Sequence, residues 1–114
     1  MVKIIDKSNE NMAIFAVEGK LTGFEGRGVI QDKVRETIKN KISHIILDLA
    51  KVTWIDSTGL GELIASLSSI KKSGGNLVLT NLQAPVQSLL KMTNLNQIFD
   101  TFENTEQALS ELKG

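Results

Sequence analysis

Apolar residues fall in two rhythms along this chain, short unbroken runs and stripes spaced three and four apart, and the two rhythms alternate. Val2 to Ile5 and Met12 to Val17 are short runs separated by the polar residues Asp6 to Asn11, the pattern of an antiparallel hairpin. Gly19 to Gly28 interrupts the rhythm, after which Ile30, Val34 and Ile38 recur at helical spacing among charged residues and predict a first amphipathic helix. Ile42 to Leu49 is almost continuously apolar and rich in β-branched side chains, as expected of a central strand covered by helices on both faces. Leu60, Leu63, Ile64, Leu67 and Ile70 make the stripe of a second helix, ended by Ser73, Gly74 and Gly75. Leu77 to Leu79 is the next buried strand, and a strand, helix, strand order of this length predicts a right-handed crossover between parallel neighbours.

Pro85 suits the first turn of a third helix, where its missing N–H has no helical partner to lose, and Val86, Leu89 and Leu90 supply the inner face. Ile98 and Phe99 predict a last short strand. Asn104 with Gln107 reads as a capping box ahead of Ala108, Leu109 and Leu112, so a fourth helix closes the chain. The expected fold is a single α/β domain over residues 1–114, with a mixed sheet of about five strands and about four flanking helices.

Composition narrows the function classes. A chain of 114 residues holds one core and no second lobe to close over a substrate. Hydrophobic residues make up 41%, charged residues 23%, and there is one proline, so neither collagenous nor disordered structure is expected. Thirteen Lys and Arg balance thirteen Asp and Glu, which leaves no net field to draw the protein onto nucleic acid or a membrane surface. The absence of cysteine excludes disulfides and thiolate metal sites and favours a reducing compartment. Met1 to Asp6 has no leader pattern and no stretch nears the ~20 apolar residues of a membrane span, so a cytoplasmic location is expected. With one histidine and no cysteine, neither a metal site nor a cofactor is expected.

The chemistry concentrates in Trp54-Ile55-Asp56-Ser57-Thr58-Gly59-Leu60, where the central strand gives way to the second helix, at the end of the sheet where open α/β folds bind ligands. Asp56, Ser57 and Thr58 all have side-chain oxygens that accept from the free N–H groups of a first helical turn. Such clusters are routine at helix starts, and residue types alone point to capping. Trp54, the only tryptophan, suits an interface anchor and a core position equally. Gly23-Phe24-Glu25-Gly26-Arg27-Gly28 lacks the G-x-G-x-x-G order of a phosphate cradle and reads as a flexible loop. His44 as a base for Ser57 would make a hydrolase. It opens the central strand while Ser57 follows the far end, and ~6 residues at ~3.3 Å put about 20 Å between them. G-x-S-x-G is also absent, and an enzyme is not expected.

Leu47-Asp48-Leu49, then Ile55-Asp56-Ser57-Thr58-Gly59-Leu60-Gly61, then Gly74-Gly75-Asn76-Leu77, resembles the STAS domain of bacterial anti-sigma factor antagonists. The likeness extends to the amino-terminal hairpin, Gly19, Pro85 and the Gln107-Ala108-Leu109 ending. It implies a STAS-type mixed sheet and an anti-sigma factor antagonist. In that family the serine after the aspartate, here Ser57, is phosphorylated by an anti-sigma factor with serine kinase activity. The unmodified form sequesters that kinase, and a serine phosphatase resets the switch. The implied partner face comprises Asp56, Ser57, Thr58, Gly59, Leu60 and Gly61, the exposed side of the following helix, and Trp54 and Thr22. Thr22 stands where these antagonists commonly carry an acidic residue. The alternative is therefore a STAS subunit of a transport complex or stress-signalling scaffold that uses the same face without reversible phosphorylation. A phosphoserine at a helix amino terminus meets free N–H groups and the positive dipole end, so the fold tolerates it, while a docked partner must face about 1.5 to 2 added negative charges.

Overall fold

The structure, a computed structural model, describes residues 2–9 and 11–113; Met1, read above as part of a leaderless start, and Glu10, within the expected hairpin turn, lie outside the described residues. The hairpin is present: β1 (Lys3–Asp6) runs antiparallel to β2 (Ala13–Leu21), with Ile4 opposite Val17 and Asp6 opposite Phe15. Polar side chains hold its turn, Ser8 Oγ accepting from the Ile14 N–H and Asn9 Oδ1 from the Met12 N–H, both at 2.9 Å. Three strands then add in parallel, β3 (His44–Ile55), β4 (Asn76–Thr80) and β5 (Asp100–Phe102), giving a five-stranded mixed sheet in simple order. The connections are α1 (Val29–Lys39), α2 (Ser57–Lys72), and α3 (Ala84–Met92) with a 3₁₀ turn at Leu95–Gln97; α4 (Thr105–Lys113) closes the chain.

Strands added one after another to the same edge through crossovers of one hand put every connecting helix on one face, and the period-two alternation of side chains records it. Phe15, Leu47 and Leu79 point into the larger core with Ile30 and Val34 of α1, Leu63, Leu67 and Ile70 of α2, and Val86 and Leu90 of α3. Ile14, Ile46 and Val78 point the other way, to a smaller core under Ala108 of α4. The fourth helix starts as a capping-box variant. Asn104 Oδ1 accepts from the Gln107 N–H at 2.8 Å, but Gln107 Oε1 accepts from Glu103, one residue outside the usual partner.

Four boundaries differ from expectation. β2 does not stop at Gly19: it continues to Leu21 through an irregular register, and Gly19 adopts φ 116°, which a residue without Cβ accepts freely. β3 begins at His44 and runs to Ile55, well past Leu49. α2 begins at Ser57, three residues ahead of its apolar stripe. The last strand is Asp100–Phe102; Phe99 is apolar because it fills the core, and Ile98 is 46% exposed.

The long β3 is what positions the site. Its pairing with β4 ends at Asp48 opposite Thr80, so Leu49 to Ile55 projects beyond β4 with only β2 beside it. Gln83 Nε2 takes the Ala50 carbonyl on the vacated edge at 2.6 Å. The turn into α2 sits at the tip of this two-stranded projection.

Candidate functional site

Leu21 and Ile55, both buried, pair at the tip, and the next residue makes the corner. Asp56 is extended (φ −98°, ψ −176°) and donates its N–H to the Leu21 carbonyl at 3.1 Å, while its own carbonyl accepts from Leu60 to begin the helix. Its carboxylate has two tasks. Oδ1 caps α2 by accepting from the Gly59 N–H at 2.9 Å, and Oδ2 accepts from the Gly23 N–H at 3.2 Å, tying the β2–α1 loop to the corner. Of the three cap-type residues, Asp56 is therefore the cap.

These donors favour the ionised carboxylate and hold Asp56 below its ordinary value of 3.8; the Gly59 N–H contributes most, partial desolvation opposes it, and the Gly23 and Thr58 N–H groups add to the lowering. A lowered folded-state pKa gives stability that is present above the unfolded value and lost as pH falls through the folded one. Asp56→Asn keeps an acceptor for the Gly59 N–H but turns an amide donor toward the Gly23 N–H, so it should be less stable than wild type at neutral pH and lose less stability on acidification below about pH 4. Urea titrations at several pH values measure this; parallel acid limbs would exclude the assignment.

Gly59 is buried, and a Cβ there would lie 2.1 Å from the Leu21 carbonyl oxygen, so only glycine lets α2 seat this close to β2. Thr58 is half-buried under the loop, where a Cβ on Gly23 would lie 2.9 Å from its Oγ1. Leu60 is half-buried against the larger core. Ser57 and Gly61 are exposed, and a Cβ on Gly61 would meet nothing within 4 Å. With Ile64, Ser68 and Lys72 they form one outward stripe of α2. Trp54 is 51% exposed, paired with Lys20 one register step before the tip. Thr22 is half-buried at the same end; its Oγ1 accepts from the Glu25 N–H at 3.1 Å and its carbonyl from Gly26. All eight residues singled out from the sequence thus lie on or beside one corner.

The loop expected to be flexible is pinned at both ends. Besides the Gly23 bond to Asp56, the Gly28 N–H donates to Glu62 Oε1 at 2.7 Å. Glu62, buried on the inner face of α2, was missed in the sequence, although a carboxylate inside an apolar stripe is a signal. Phe24, 98% exposed between these anchors, was also missed.

Ser57 is exposed at the first position of a 16-residue helix. No base stands beside it from the sole histidine, because His44 and Ser57 lie at opposite ends of the 12-residue β3. Among the described residues no group of three or more His, Cys, Asp or Glu is placed to hold a metal, and no helix is long and apolar enough to cross a membrane.

Comparison with known proteins agrees with this architecture. An anti-sigma F factor antagonist of Paenibacillus polymyxa is 32% identical over 75 residues, covering 66% of this chain; the chain spans 64% of that relative's length. The anti-sigma-B factor antagonist of Bacillus subtilis strain 168 is 29% identical over 100 residues, 88% of this chain and 90% of the relative. A crystal structure from Thermotoga maritima superposes with a TM-score of 0.89 at 25% identity, covering 97% of this chain and 95% of that one. SpoIIAA in its unphosphorylated form shares the fold at 13% identity, with a TM-score of 0.73 over 100% of this chain and 99% of its own. The family model of the STAS domain matches residues 3–108, and the chain belongs to the STAS domain family.

Proposed function

We propose that this protein is an anti-sigma factor antagonist of the cytoplasm, a binding module whose grip on an anti-sigma factor kinase is released by phosphorylation of Ser57. The observation that carries the reading is the division of labour at the corner: Asp56 performs the capping, which leaves the Ser57 hydroxyl exposed and uncommitted at the first position of α2. A phosphate added there sits at the positive end of the helix and is tolerated by the fold. It also stands beside the Asp56 carboxylate, so a partner packed on Ser57, Gly61 and Ile64 would have to bury adjacent negative charges without counterions. The unmodified form holds the kinase, the modified form lets it go, and a serine phosphatase resets the switch.

The relatives' names favour an antagonist over a transport or scaffold subunit. Thr22, with its hydroxyl engaged by Glu25 N–H, supplies no acid beside Ser57, and the proposed chemistry calls for none from the acceptor protein. The test is to incubate the purified chain with each anti-sigma factor kinase of its cell and ATP, and to locate phosphate by mass spectrometry. One phosphate on Ser57, absent from Ser57→Ala, is expected. Modification at Thr58 or elsewhere would overturn the site.

A further inference from the structure

The fold commits a core position to holding a loop in place. Glu62 shares the inner face of α2 with Leu63, Ser66, Leu67 and Ile70, where an apolar side chain would serve packing, and it is only 6% exposed. A buried carboxylate is costly unless it is bonded. Its bond goes to the N–H of Gly28, the N-cap of α1, where the helix dipole favours negative charge. The loop's other end is fixed by Asp56 and by the tight seat of Gly23 on Thr58. Between these anchors Phe24 stands at 98% exposure, the most exposed large apolar side chain among the described residues.

Fixing a loop in advance removes ordering entropy that docking would otherwise have to overcome, and lone presented aromatics are favoured as interface anchors. We infer that the β2–α1 loop is the second half of the docking face, with Phe24 the anchor that enters an apolar pocket of the anti-sigma factor and Glu62 the positioning residue that presents it. This rests on the proposed function. The occupant is the same partner because the surface is continuous: Gly23 touches Thr58, Thr58 adjoins Ser57, and Phe24 follows Gly23. Two further exposed apolar residues, Met92 and Ile98, lie in the β4-to-β5 connection at the opposite end of the sheet and are not part of this face.

The test measures affinity, by titration calorimetry, for the purified anti-sigma factor that phosphorylates Ser57. The titrants are wild type, Ser57→Asp, Phe24→Ala, Glu62→Leu and Glu62→Gln. Phe24→Ala should bind about tenfold more weakly or worse with an unchanged Tm. Glu62→Leu should bind more weakly and let the Gly28 amide exchange faster with solvent, whereas Glu62→Gln, whose amide oxygen still accepts from Gly28, should keep both properties near wild type. Should Glu62→Leu fail to fold, Phe24→Ala still decides. Wild-type affinity in Phe24→Ala, with Ser57→Asp weakened, overturns this inference and leaves the switch intact. Equal affinity of wild type and Ser57→Asp overturns the switch, and a wild type that does not bind overturns both.

Discussion

Gly59→Ala should cost about 3 kcal/mol or more of folding stability, while Gly61→Ala, two residues along the same helix, should gain up to ~1 kcal/mol. The added Cβ is identical, and its surroundings decide the sign. At 59 it would lie 2.1 Å from the Leu21 carbonyl oxygen and 2.9 Å from Ile55 Cγ2. The first of these is strand backbone, already engaged by the Asp56 N–H, and it cannot swing aside as a flexible side chain would. Relief requires α2 to lift from β2, which breaks the corner. At 61 no atom lies within 4 Å, and the methyl group only removes the entropy that glycine brings to the unfolded chain. Against a typical total of ~5–15 kcal/mol the first change is a large fraction. Urea unfolding of both variants measures the difference; a similar effect at both positions would show that the close seat of α2 on β2 is not the constraint.

Ser57→Asp should weaken binding of the anti-sigma factor at least about tenfold, and Ser57→Ala should bind like wild type. Neither side chain fills a void, because Ser57 is exposed, so a loss with Asp reports charge at the interface and not a disturbed core. Thermal unfolding should separate the two effects: a carboxylate in the first turn of a helix is favourable, and the midpoint of Ser57→Asp should match or slightly exceed wild type. Equal affinities for the two variants would remove charge as the mechanism of release.

The elements of this fold were legible wherever both faces of a segment are covered. Ile45, Ile46 and Leu47 are buried on both sides and read as an unbroken apolar run. Beyond Asp48 the same strand leaves β4, and Ala50, Lys51, Thr53 and Trp54 meet solvent, so the run dissolves and the second half of β3 was invisible. Phe99 misled in the opposite sense, being apolar for the core while the strand forms one residue later. At the corner, Asp56 to Gly61 carried a local signature because capping is a local interaction. The bond from Gly28 to Glu62 joins residues 34 apart, and no spacing rule reaches that far; only the carboxylate's place in an apolar stripe hinted at it. The need for glycine at 59 likewise comes from Leu21, a residue on another strand.

The projecting end of β3 carries outward side chains that the fold does not need for its core. Lys51, Thr53 and Trp54 emerge from a two-stranded arm that the rest of the sheet does not lean on, and surface replacements of that kind usually change stability by no more than ~0.5 kcal/mol. The outward side chains of the arm can therefore be exchanged while the covered centre of the sheet, Ile45 to Leu47 beside Leu77 to Leu79, stays as it is.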